Sequence, residues 1–123
     1  MSHFTKIKTS FTDGNALKRA LASRGYQVMS GNAVVGWLGR TVDTEFKVRA
    51  ASNSHYEIGF IKKADKYEVI SDWTMNGIDQ MRFLGSLTRA YGREVVVAKL
   101  LDQGFEVEKE SEAHGEVRIV LRR

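Results

Sequence analysis

From Thr44 to Ala50 the chain alternates without interruption, with Phe46, Val48 and Ala50 on one side of an extended backbone and Glu45, Lys47 and Arg49 on the other. A period of two belongs to a strand with one dry and one wet face. It returns in Tyr56-Glu57-Ile58-Gly59-Phe60-Ile61 and, after the turn-like Lys62-Lys63-Ala64-Asp65-Lys66, in Tyr67-Glu68-Val69-Ile70-Ser71-Asp72-Trp73. These two runs predict a hairpin. At the C-terminal end Val117, Ile119 and Leu121 alternate with Glu116, Arg118 and Arg122. Ala113-His114-Gly115 supplies a turn from Phe105-Glu106-Val107, which predicts a second hairpin.

Strands wet on one side need cover on the other, and two segments carry the helical period. In the first, Asp13-Gly14-Asn15 offers an N-cap, Leu17, Ala20 and Leu21 form an apolar stripe, and Gly25 stands where a left-handed cap belongs. The second starts near Asn76 and places Ile78, Met81, Leu84, Leu87, Tyr91, Val95, Ala98 and Leu101 on one stripe before Gly104. Gly92 and the β-branched Val95-Val96-Val97 make a break in this 77–103 helix the open question. The two exits, Leu21-Ala22-Ser23-Arg24-Gly25-Tyr26-Gln27-Val28 and Leu100-Leu101-Asp102-Gln103-Gly104-Phe105-Glu106-Val107, share one pattern of helix, glycine, aromatic, polar residue and valine. The expected fold is therefore one α+β domain over residues 1–123. It has a mainly antiparallel sheet with two helices on one face, in a split βαβ, ferredoxin-like arrangement.

A chain of 123 residues is long enough to bury about two-thirds of its extended surface without staples. It has no cysteine, which excludes disulfides, thiolate metal sites and cysteine nucleophiles. No apolar run approaches the ~18 residues of a membrane span, and Met1 to Lys6 carry no apolar signal core, so a soluble, cytoplasmic protein is expected, with no membrane partner. The net charge of +4 is unevenly spread. Lys6, Lys8, Lys18, Arg19 and Arg24 oppose only Asp13 in the first 30 residues, while Asp102, Glu106, Glu108, Glu110, Glu112 and Glu116 outnumber the cations of the last 23. Sharing one sheet would let the two terminal segments neutralise each other.

Most chemistries fail on spacing. Gly31-Asn32-Ala33-Val34-Val35-Gly36-Trp37-Leu38-Gly39-Arg40 is glycine-rich, yet no Lys-Ser or Lys-Thr follows its last glycine and the dinucleotide spacing is absent. It reads as a loop in which Trp37 and Arg40 are the candidate ligand-contacting residues. His3, His55 and His114 are too far apart to make a metal motif. Asp72 and Asp79 have no carboxylate partner and read as turn or cap residues. Glu106, Glu108, Glu110 and Glu112 share one parity, so a regular strand would put four carboxylates on one face. No catalytic residue, metal or cofactor is assigned. Phe46, Tyr56, Phe60, Tyr67 and Trp73 could stack bases on a sheet, but their parity with Ile58 and Val69 is that of core residues, and the RNA-recognition strand signature is missing.

The opening Met1-Ser2-His3-Phe4-Thr5-Lys6-Ile7-Lys8-Thr9 and the strand Tyr56-Glu57-Ile58-Gly59-Phe60 resemble the hypothetical chloroplast reading frame thirty-five family of cyanobacteria, other bacteria and red-lineage plastids. Leu17-Lys18-Arg19-Ala20-Leu21, Gly25-Tyr26, Tyr67-Glu68-Val69-Ile70, Asp72-Trp73, Tyr91, Gly104-Phe105 and Val117 to Arg122 follow in the same order, so the resemblance spans nearly the whole chain. It implies a small stand-alone domain in a bacterial cytoplasm, a phage-infected cell or a plastid stroma, and it transfers no catalytic residue. The function expected is that of a non-enzymatic accessory or binding module with a protein partner. Two alternatives stand beside it. One is an RNA- or DNA-binding domain using Lys6, Lys8, Lys18, Arg19 and Arg24 as phosphate contacts; the other is a small-ligand domain with the 31–40 loop as lid.

Overall fold

A computed structural model describes residues 4–36, 39–51 and 55–122. In chain order the elements are β1 (Thr5–Lys8), α1 (Gly14–Ser23), β2 (Val28–Met29), β3 (Ala33–Val34), β4 (Thr41–Val42), β5 (Phe46–Arg49), β6 (Glu57–Lys63), β7 (Lys66–Ser71), α2 (Gln80–Asp102), β8 (Glu106–Ala113) and β9 (Glu116–Arg122). Five strands form the principal sheet in the order β1-β7-β6-β5-β2, each antiparallel to its neighbour.

The alternation seen in the sequence sets the register. Phe46 lies opposite Phe60, Val48 opposite both Ile58 and Val28, and Val69 opposite both Phe60 and Ile7. All these side chains therefore share one face, and the Phe46 and Phe60 rings stack at 5.1 Å. Leu17, Ala20 and Leu21 of α1 and Phe83, Leu87 and Ala90 of α2 join them in a single core, which puts both helices on this face. Phe46, Phe60 and Tyr67 are buried there and offer no stacking platform to a base; Tyr56 and Trp73 are half-buried.

Both helices end as their matched exits predict. Gly25 and Gly104 adopt φ of +88° and +90°. The N–H groups of Tyr26 and Phe105 donate to the carbonyls of Leu21 and Leu100 at 3.1 and 3.0 Å, the long bond of a Schellman cap. α2 runs unbroken through Gly92. It begins later than Asn76 because residues 72–78 form a polar turn, in which Asp72 Oδ1 accepts from the Thr74 N–H and hydroxyl and Asn76 Oδ1 accepts from the Ile78 N–H. Asp79 is the helix cap, taking the Arg82 N–H.

The other sheet face is covered in part by β3 and β4, which pair with each other inside the segment expected to be a loop. Two-residue strands are too short for periodicity to reveal. Ala33, Val35 and Ile70 form a second small core, flanked by Phe4, Val42 and Ile61. A buried ion pair fastens it: the Glu57 carboxylate accepts from Val34 N–H at 2.9 Å and from Lys47 Nζ at 3.0 Å, and Lys47 also donates to the Asn32 carbonyl.

The strand after α2 departs from the ferredoxin-like arrangement expected from the sequence. β8 pairs only with β9, in a separate antiparallel hairpin, and does not return to the sheet beside β1. With Glu106, Glu108, Lys109, Glu110 and Glu112 on β8, a place beneath the helices would bury charge on a face that needs to be apolar. The expected row of four carboxylates is also corrected. A bulge between Val107 and Lys109 shifts the parity, so Glu110 and Glu112 share a face with Ile119 and Val117, while Glu106 lies opposite Arg122 on the other face.

A Cβ on Gly59 would sit 2.5 Å from Thr44 Cγ2 and 3.0 Å from the Ala33 methyl, whereas one on Gly92 would meet nothing within 4 Å. Gly59→Ala should therefore destabilise by about 1–3 kcal/mol by forcing the β3–β4 flap off the sheet. Gly92→Ala should stabilise by about 0.5–1 kcal/mol. Urea midpoints at constant m-value check both.

Candidate functional site: the cleft between the two helices

The Schellman turn after α1 drops Tyr26 onto α2, where its ring meets Phe83 edge-on at 5.5 Å. The turn before α2 brings Ile78 and Asp79 to the same place. Between them opens a cavity of about 330 Å³, floored by Leu21, Phe83 and Leu87 and rimmed by Arg24, Arg82 and Ser86. An apolar floor with a few converging polar groups is the usual form of a ligand site. Burial pushes the Tyr26 phenol above its ordinary pKa.

The two rim arginines differ. Arg24 closes a bidentate pair with Glu112 at 2.9 and 3.0 Å, which leaves its Nε buried without a hydrogen-bond partner. Arg82 makes no ion pair among the described residues and is exposed at the mouth. Asp79 is the one carboxylate of the lining, and its Oδ1 is engaged by the helix cap. The cleft thus presents one unpaired guanidinium, Arg82, over a greasy base, with Arg24 beside it already paired to Glu112.

Arg24 is also the wall between this cleft and a second cavity of about 300 Å³, lined by Ser23, Ala90, Arg93, Glu110, Glu112 and Val117. There the C-terminal hairpin is clasped to the helices. Glu112 is shared by Arg24 and Arg89, Glu110 takes a bidentate bond from Arg93 at 2.6 and 2.7 Å, and Glu94 is shared by Arg19 and Arg93. Of the basic residues in the first 30, Arg24 alone pairs with the acidic C-terminal hairpin among the described residues; the other pairs that hold β8 come from Arg89 and Arg93 of α2.

The residues singled out from sequence scatter. Lys6 and Lys8 flank Ile7 on β1 and so project from the face away from the helices. Lys18 Nζ lies 5.2 Å from the centre of the Phe46 ring, and Arg19 and Arg24 are held by Glu94 and Glu112. Arg40 stacks over Phe4 at 4.5 Å on the β3–β4 side; Trp37 and His3 lie outside the described residues. Asp72 and Asp79 serve the turn and the cap. The cleft residues Tyr26, Arg82, Phe83 and Ser86 carried no motif. The only trace of them in the sequence was the glycine-aromatic exit, read as a cap. Among the described residues no His, Asp and Glu cluster is placed to hold a metal ion, and no helix is long and apolar enough to cross a membrane.

The family described as "Protein of unknown function (DUF1257)" matches residues 20–120, from the middle of α1 to β9. The chain belongs to this family. It is similar to the protein named "Uncharacterized protein ycf35" from Cyanophora paradoxa, at 27% identity over 100% of this chain and 98% of the relative. The proteins of the same name from Pyropia yezoensis and Guillardia theta are 30% and 28% identical over the same shares. No solved structure matches. The family match takes in the end of α1, all of α2 and most of the hairpin, so the residues lining the cleft fall within it.

The clasp should be acid-sensitive. Hydrogen bonds from Arg93 and from Arg24 hold the Glu110 and Glu112 carboxyls below the ordinary glutamate value of 4.5. Groups depressed on folding add stability that is fully present above the unfolded pKa and lost as pH falls through the folded one. The midpoint difference between the native chain and a Glu110→Gln/Glu112→Gln variant should therefore be full at pH 7 and disappear in the acid range below about pH 4. Thermal melts across that range measure it.

Proposed function

We propose that this chain is a non-enzymatic binding module, and that its recognition site is the cleft between α1 and α2. One observation carries the reading: Arg82, free of any ion pair among the described residues, stands with Arg24 over a floor of Leu21, Phe83 and Leu87. The fitting chemistry is an anionic head on an apolar body. Arg offers planar donors to a carboxylate or phosphate, and the floor removes a hydrocarbon or ring from water. Such a group can come from a small amphiphilic acid or from the C-terminal carboxylate of a protein partner, and the two share one binding mode. A cytoplasmic or stromal setting goes with this reading. Arg40 lies on the opposite side of the sheet from the cleft, so a lid made by residues 31–40 has no part in it.

Thermal melts in the presence of aromatic and aliphatic carboxylates, their phosphate-ester counterparts and short peptides ending in Leu or Phe test the proposal. A ligand at about 100 times its Kd stabilises by about 2.7 kcal/mol. The shift should appear with the acids and not with the matching amides. It should fall at least tenfold in affinity in Arg82→Ala, and vanish in Ser86→Trp, where the new ring fills the cleft. Peptide amides binding as well as peptide acids, or an unchanged affinity in both variants, would refute it.

A further inference from the structure

The ion pairs are not spread evenly over the molecule. Arg19, Arg24, Arg89, Arg93, Arg118 and Arg122 all pair with glutamates on α2 or in the C-terminal hairpin, whereas Lys47 is the one lysine with a carboxylate partner among the described residues. Among the described residues the cations left without an ion pair are Arg40, Arg49, Arg82 and every lysine but Lys47.

Four of these lysines lie on one face of the sheet, three of them around one corner and Lys6 next along β1. Lys8 lies opposite Glu68, and Lys63 opposite Lys66. Parity with Ile70, Ile61 and Glu68 puts Lys6, Lys8, Lys63 and Lys66 all on the face away from the helices. All four are exposed. Lys8, Lys63 and Lys66 line one open concavity of about 350 Å³ with Thr9, Tyr67 and the 64–65 turn, where Asp65 and Glu68 are the carboxylates among the described residues. On pleated strands the spacing from Lys6 to Lys8 is about 7 Å, and Lys66 stands about 8 Å from Lys8 across the sheet. Lysine on an edge strand discourages edge-to-edge pairing, which accounts for Lys6 and Lys8 on β1. It does not account for Lys63 and Lys66, which face each other across the 64–65 turn at the end of the β6–β7 hairpin as a like-charge pair.

We infer that this corner, Lys6, Lys8, Lys63 and Lys66, binds the phosphate backbone of a nucleic acid without reading its sequence. Lysine ammonium groups act as point charges for phosphates, and among the described residues no fully exposed aromatic ring lies beside them to stack a base. The contacts are thus electrostatic and released by salt. Of the cations marked from the sequence, Lys6 and Lys8 belong to this surface. Lys18, Arg19 and Arg24 do not, because they lie on the helix side, two of them engaged by glutamates. The inference is independent of the cleft.

Fluorescence anisotropy with a labelled 20-nucleotide single strand, titrated with the full chain between 50 and 200 mM salt, tests it. Four contacts predict a slope of log K on log salt of about −3. Lys63→Glu/Lys66→Glu should cut affinity at least tenfold and halve that slope, with Lys6→Gln/Lys8→Gln doing the same. Lys18→Gln/Arg19→Gln should change little. Thermal melts confirm that each variant is folded. A salt-independent affinity, no binding at 50 mM salt, an equal loss in Lys18→Gln/Arg19→Gln, or a stronger association with anionic lipid vesicles than with the oligonucleotide would overturn the assignment.

Discussion

Everything in this molecule is arranged around one apolar sheet face that must be kept from water. Phe46, Val48, Ile58, Phe60 and Val69 are each no more than 2% exposed, and the side chains covering them come from α1 and α2. α1 follows β1 at one edge and delivers the chain to β2 at the other. That crossing lays Leu17 and Leu21 across the strands between. α2 then packs beside α1, and Tyr91 fixes the contact by accepting the N–H groups of Thr12 and Asp13 at 3.1 and 3.0 Å. The second core on the far face is small and touches neither helix, so the positions of both helix ends, and with them the cleft, follow from this one burial.

The polar groups divide the surface into two regions of different character. Around α2 and the C-terminal hairpin, arginines are matched to glutamates in a connected network that ties β8 to both helices. Exposed pairs contribute little singly, but shared and bidentate ones hold geometry. On the far side of the sheet a single buried pair, Glu57 with Lys47, holds the β3–β4 flap, and the remaining lysines are left to solvent. A chain whose net charge is only +4 thereby sets four exposed lysines on one face of the sheet.

Much of the fold was legible because it rests on local periodicity. The β6–β7 and β8–β9 hairpins, the inward aromatics Phe46, Phe60 and Tyr67, and both glycine-capped helices are properties of short windows in which spacing dictates a face. The bulge at Val107 to Lys109 was not legible, since a one-residue shift leaves no mark in the composition and yet reverses which glutamates meet α2. The cleft was invisible for a related reason. Tyr26 and Arg82 are 56 positions apart in the sequence, and nothing local to either says that they share a wall.

By itself the amino-acid sequence determined the two helices, the longer strands, the buried face of the sheet and the absence of thiol chemistry, because each depends on neighbours along the chain or on residue type alone. Its family resemblance was likewise carried by contiguous words such as Tyr56-Glu57-Ile58-Gly59-Phe60. Only the tertiary structure decided that β8 leaves the sheet for a hairpin of its own, that Arg24 is spent on Glu112 while Arg82 stands free, and that Lys6 and Lys8 find Lys63 and Lys66 as companions. Those outcomes depend on which segments can approach without burying charge, a condition set between distant parts of the chain and met only once it has folded.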